Sequence, residues 1–232
     1  MANRETTPEL GEPWHGLVCD EPFAYPVTET VDRFDGAVWS IRSDTVEFDD
    51  QSAVRDVLIH PGAVAIVALN DQDEVLLIRQ YRHPVAAYLF ETPAGLLDKP
   101  SEDPLEAAKR ELIEEAGLEA KNWGVLLDVA NSPGGSSEII RFYLARDISA
   151  ASEGRVMTGE AEEASLPSVW VDLDEALQLV LAGQLISPNA VVGVFAAHAA
   201  RASDWDDVRP ADAPWNSRAN LLDHNLVAEV KR

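Results

Sequence analysis

A helix with both ends written into the sequence, between Gly95 and Leu118, limits what this chain can become more than any other feature. Asp103 suits the N-cap, Pro104 the first helical position, where no amide donor is needed, and Glu106 the place from which a capping-box carboxylate reaches back. Gly117 supplies the C-terminal stop. Leu105, Ala108, Leu112 and Ala116 recur at helical spacing and predict a buried stripe, with the charged side chains turned away from it as a separate acidic face.

Strand signals flank this helix. Residues 1 to about 33 are rich in Pro, Glu and Thr and read as an irregular arm that Trp14, Phe23 and Tyr25 can anchor. Phe34, Val38, Ile41, Val46 and Phe48, broken by Asp35-Gly36 and Ser43-Asp44, predict short strands joined by tight turns. Residues 54–59 extend that small antiparallel sheet, and His60-Pro61-Gly62 then punctuates the chain, which puts a boundary near Ile59. The apolar runs 63–69 and 75–78, separated by Asn70-Asp71-Gln72-Asp73, predict a buried hairpin. Further strands are expected at 89–95, 124–130, 139–145 and 169–172, and helices at 174–182 and 191–202. The organisation is an arm and small sheet over 1–59, a main domain over 60–202, and a packed or partner-docking tail over 203–232.

Charge narrows the partners. With 41 Asp plus Glu against 18 Lys plus Arg and a net charge of -23, the surface repels phosphate backbones, so no nucleic-acid partner is expected. Small anionic substrates are compatible, because a metal ion or a few local arginines reverse the potential inside one cleft. Cys19 is the single cysteine, so neither an intramolecular disulfide nor a cysteine zinc cluster can form. No apolar run reaches the roughly 18 residues of a membrane span, and the opening MANRETTPELGEP has no secretory apolar core. The expected location is the cytoplasm, without membrane association.

Within the acidic helix, Glu111 and Glu115 lie one turn apart and Glu114 sits on the adjacent edge. Like charges at this spacing cost a bare helix a few tenths of a kcal/mol per pair. A hard divalent cation, Mg²⁺ or Mn²⁺, resolves the conflict, since it prefers carboxylate oxygen and leaves positions for water and phosphate. Arg110 can pair with Glu106 or Glu114. A solvated acidic face in an acidic protein satisfies the same spacing.

The whole string resembles the Nudix box: a Gly, five residues, a Glu, seven residues, Arg-Glu, an aliphatic residue, any residue, Glu-Glu, any residue, Gly, an aliphatic residue. Glu102, Arg110, Glu111, Leu112, Glu114, Glu115, Gly117 and Leu118 fit, with six residues instead of five between Gly95 and Glu102. From about residue 34 to about 200, the strings HPGAVAIVAL, RQYRHP, ETPAGLLD and NSPGGSSE and the segment GQLISPN resemble the ADP-ribose pyrophosphatase branch of that family, in its actinobacterial type. The resemblance implies an α/β fold: an α/β/α sandwich around a mixed sheet, preceded by a small N-terminal antiparallel β domain that helps form a homodimer. It implies Mg²⁺-dependent hydrolysis of ADP-ribose to AMP and ribose 5-phosphate. Another nucleoside diphosphate sugar or dinucleotide as substrate, or a non-catalytic ADP-ribose-binding protein, are the alternatives.

Carried over position by position, Glu111 and Glu115 are the main metal ligands, Glu114 a secondary ligand and the Ala94 carbonyl a further one. Glu102 and Arg110 form a supporting ion pair; Arg79 contacts the diphosphate and Glu91 the substrate or a water network. The general base is expected in the acidic run 157–164, at Glu162, with Glu163 and Glu160 as alternatives. Gly134, Gly135 and Ser136 allow close approach to phosphate or ribose, with Glu138 nearby. Tyr81 and Trp39 are stacking candidates, and His60, His83 and His198 are read as structural.

Overall fold

The computed structural model describes residues 14–99, 101–152, 154–155 and 166–230. Strands β1 (Val27–Asp35), β2 (Ser40–Phe48) and β3 (Gln51–Ile59) form the expected N-terminal antiparallel sheet. The irregular arm is shorter than expected, because the β-branched run Val27, Thr28, Thr30 and Val31 pairs with β2. No turn forms at Ser43-Asp44. Both residues sit in mid-strand, almost fully buried, since Ser43 Oγ bonds to Arg33 and Asp56 while Asp44 accepts from Thr30 and Arg42.

The central sheet has the order β11-β8-β9-β4-β7, built from β4 (Ala63–Ala68), β7 (Ala94–Leu96), β8 (Leu118–Ala130), β9 (Ile139–Ala150) and β11 (Arg209–Pro210). β4 and β9 run parallel and the other pairs antiparallel. All six residues of β4 are buried, which explains its continuous apolar run: both faces are covered. On one face Ala65, Val67 and Phe142 pack with Ala176, Ala190 and Val194 of α2 (Leu173–Leu181) and α3 (Pro188–Ala202). On the other, Val64, Ile66 and Tyr143 pack with Ala107, Ala108 and Leu112 of α1 (Pro104–Ala116). This is the α/β/α arrangement.

The expected hairpin over residues 63–78 does not form. β5 (Glu74–Arg82) touches β4's end through the single bridge Leu69–Val75, then leaves for a third sheet of order β10-β5-β6 with β6 (Ala87–Glu91) and β10 (Ser168–Asp172). A strand has two edges, and β9 and β7 occupy both edges of β4. The single strand expected at 89–95 is likewise two, β6 and β7, divided at Thr92-Pro93 where the chain changes sheet.

The tail is packed. β11 extends the central sheet, and α4 (Asn216–Asp223) follows Trp215, whose ring lies 4.7 Å from the Arg141 guanidinium carbon and 5.7 Å from that of Arg218. Arg218 donates to Pro61 O, Arg42 to Asn225 O, and Ala228 N to His60 O, so the tail touches the N-terminal sheet and the main domain together.

Candidate active site

Helix α1 starts as the sequence predicts: the Asp103 carboxylate accepts from Leu105 N at 2.8 Å, and Gly117 ends the helix in the left-handed region at φ 67°. The capping box is not made, because Glu106 turns instead to the nearer cation, Lys109 Nζ, at 2.7 Å. The acidic face is also not a solvated one. Glu111 and Glu115 are 8% and 6% exposed, buried alongside Ala107, Ala108 and Leu112.

Strand β7 covers them. Ala94 N donates to Glu115 Oε2 at 2.8 Å, and the Gly95 Cα hydrogen points straight at the Glu111 carboxyl, in space that a Cβ would fill. Gly95 is therefore glycine for close approach. Arg110 organises the outer side: its Nε and Nη2 each lie 3.0 Å from one Glu102 oxygen, and its Nη1 reaches Glu111 at 2.5 Å and Glu114 at 3.0 Å. Burial opposes the charge on Arg110, but hydrogen bonds and attraction from Glu102 and Glu111 outweigh it, so its pKa is raised and the guanidinium stays charged. The longer loop before Glu102 does not prevent this pairing.

In this arrangement no three His, Cys, Asp or Glu among the described residues are gathered closely enough to hold an ion. Glu111 and Glu114 are turned onto Arg110 and Glu115 onto the Ala94 amide. The donor chemistry nevertheless fits a hard divalent cation: three carboxylates on one end of a helix, against a backbone cradle that lacks a Cβ.

Upstream, Glu91 is 3% exposed and clamped by Arg82 through Nε at 3.0 Å and Nη2 at 2.6 Å. Arg82 was not singled out from the sequence, because alternation separates it from Arg79 but only the pairing of β5 with β6 tells which of the two faces Glu91. With strand alternation, Gln80 and Arg82 share the face of Glu91, whereas Arg79 and Tyr81 point to the other side. Arg79 accordingly stacks on Tyr88, its guanidinium carbon 4.0 Å from the ring centre, and the structure does not bring it to Glu91.

Gly135, Ser136 and Glu138 lie on the loop between β8 and β9. Leu58 N donates to Gly135 O and Ser137 N to Leu58 O, which ties this loop to β3. Together with Tyr25, Phe48 and Arg55 they line a cleft of about 690 Å³ between the N-terminal sheet and the main domain. Ala94 pairs with Ala65 and Ala65 with Phe142, so this loop lies two strands across from β7 and at least four residues further along the sheet. Tyr81 packs against Tyr88 and Trp39 against Phe34. His83 lies beside Tyr81 and His198 beside Asp174, while His60 is buried near Glu138. Glu160, Glu162 and Glu163 lie outside the described residues.

A family profile for the NUDIX domain matches residues 59–189. The chain is 39% identical over 184 residues to an ADP-ribose pyrophosphatase of Mycobacterium tuberculosis, covering 79% of this chain and 87% of that one. It is 34% identical to a methanol dehydrogenase activator of Bacillus methanolicus, covering 74% and 91%. Among solved structures, an ADP compounds hydrolase aligns over 80% of this chain and 98% of its own with a TM-score of 0.68 and 24% identity, a likeness of fold.

Proposed function

Because this chain belongs to the NUDIX family, we propose that it hydrolyses the pyrophosphate bond of ADP-ribose to AMP and ribose 5-phosphate. The observation that carries this reading is the Glu111–Gly95 and Glu115–Ala94 packing, which spends buried carboxylates where a helix gains nothing from them. Similarity over 79% of the chain to a protein named for ADP-ribose favours that substrate over other nucleoside diphosphate derivatives.

Nudix hydrolases generally use a divalent metal; here Glu111, Glu115, Glu114 and the Ala94 carbonyl would hold it, and we take it as Mg²⁺ or Mn²⁺. Bound, such a cation neutralises the diphosphate and activates water. The chain's own residues do the rest. Glu102 fixes Arg110, which holds Glu111 and Glu114 in register along α1. Arg82 clamps Glu91 through two nitrogens and fixes its carboxylate, which orients substrate or water. Arg79 supplies positive charge to the diphosphate, Gly135, Ser136 and Glu138 contact the ribose or nucleoside end, and Glu162 or Glu163 removes the proton from the attacking water. We further propose a homodimer through the N-terminal sheet, in the cytoplasm.

Incubation of the purified protein with ADP-ribose and Mg²⁺ should release AMP. Glu111→Gln and Glu115→Gln should each lower kcat by at least ~10²-fold with the fold retained, as expected where charge stabilisation dominates. Absence of AMP with every divalent metal, or near-normal rates in both variants, rejects the assignment.

A further inference from the structure

We propose that His60 is a positioning residue that orients Glu138 and its loop for the substrate; this rests on the reading of the site as a nucleoside diphosphate hydrolase. Separated segments meet at this one residue, Ser137 and Ala228 through its backbone and Glu138 through its ring. Its backbone N donates to Ser137 Oγ at 2.9 Å, its carbonyl accepts from Ala228 N at 3.2 Å, and Gly62 N donates to its Nδ1 at 3.0 Å. His60 is 9% exposed, at the junction of β3 and β4 where the N-terminal sheet joins the main domain.

The Gly62 hydrogen bond fixes the tautomer. A neutral ring whose Nδ1 accepts carries its proton on Nε2, and that atom faces Glu138 Oε1 at 3.7 Å. The other Glu138 oxygen accepts from Asn131 Nδ2 at 2.8 Å, while Glu138 N donates to Ser136 Oγ. One carboxylate oxygen is thus fixed by an amide of its own loop, and the other faces an imidazole from outside it. Burial pushes the His60 pKa down against the opposing pull of Glu138, which keeps the ring neutral and its donor aimed. The His60 backbone ties the tail and the Ser137 loop to the end of β3, and its ring adds a contact to Glu138 on the wall of the 690 Å³ cleft.

Two variants of the full chain separate the roles of the ring nitrogens. His60→Asn keeps an acceptor for Gly62 N and removes the donor toward Glu138. His60→Gln places an amide donor near the Nε2 position and gives up the Gly62 cap. In steady-state hydrolysis of ADP-ribose with Mg²⁺, His60→Asn should raise KM by about fivefold, the scale of one ordinary hydrogen bond, with kcat changed less than twofold. His60→Gln should return KM to near the unsubstituted value while lowering the melting temperature. Glu138→Gln should raise KM similarly, and the His60→Asn, Glu138→Gln double variant should be no worse than either alone. An unchanged KM in His60→Asn, a loss of kcat in place of KM, or multiplying effects in the double variant would overturn the proposal. Should the unsubstituted protein release no AMP, the functional reading fails by itself. The coupling is then read from melting temperatures, where a shared loss supports the His60–Glu138 contact and fully additive losses reject it.

Discussion

Replacing Gly95 by alanine isolates the contact on which the site depends. A Cβ at this position would lie more than about 1 Å inside the ~3.5 Å optimum for two carbons, with the Glu111 Cδ, Oε1 and Cγ as its three nearest neighbours. All three are side-chain atoms, so the chain can relieve the clash by swinging the carboxyl away without moving backbone. Gly95 has no positive φ, and alanine brings no backbone strain there. The cost to stability should be small, at most about 1–2 kcal/mol for an overpacked position that relaxes through one side chain. The cost to catalysis should not be. The Glu111 carboxylate must move by more than about 1 Å, and a misplacement of that size in a positioned group costs on the order of 10²-fold in rate. Thermal unfolding of Gly95→Ala should therefore shift by no more than about 8 °C for a chain of this size, while AMP release falls by about 10²-fold with kcat carrying most of the loss. A variant that hydrolyses ADP-ribose normally would show that Glu111 acts without its present position. One that simply unfolds would show that the backbone cannot keep its course.

Two further outcomes follow from charges buried elsewhere. Arg141 is 3% exposed and held by Asp128 at 2.7 and 3.0 Å, with Ala213 O, Pro214 O and the Trp215 ring also against it; Asp128→Ala removes its paired carboxylate and should cost about 3 kcal/mol, or about 6–12 °C in melting temperature. A shift below about 2 °C by calorimetry would mean the other partners of Arg141 suffice. The folded-state pKa of His60 is lowered from 6.5, so as pH falls the unfolded chain takes up the proton first and stability declines through and below that value; Glu138 opposes the effect, and Arg218, bonded to the neighbouring Pro61 carbonyl, is a nearby cation. Melting temperatures measured from about pH 8 to about pH 5 should fall less steeply in His60→Asn than in the unsubstituted protein, and parallel profiles would contradict the assignment.

The helix α1 was legible in unusual detail. Asp103, Gly117 and the 111–114–115 spacing are local facts, fixed by 3.6 residues per turn, and the structure carries them unchanged. Its capping box was not legible, since Glu106 had two local partners in reach and the exposed carboxylate pairs with Lys109 one turn on. The small N-terminal sheet was readable too, apart from the polar pair Ser43-Asp44, which looks like a turn until Arg33, Thr30 and Asp56 are placed across the strands. The apparent hairpin at 63–78 misled for a related reason: a turn rich in Asn and Asp says that the chain reverses, not that the two strands remain paired.

By itself, then, the sequence determined a capped helix, the register of its carboxylates and the alternation of its strands, because each depends on neighbours within a few residues. Tertiary structure decided which backbone lies against those carboxylates, which arginine of Arg79 and Arg82 meets Glu91, and that His60 faces Glu138 across 78 positions of chain. Those choices depend on strand order and on which edges are already occupied, and both are settled only when the apolar faces of distant segments are buried together.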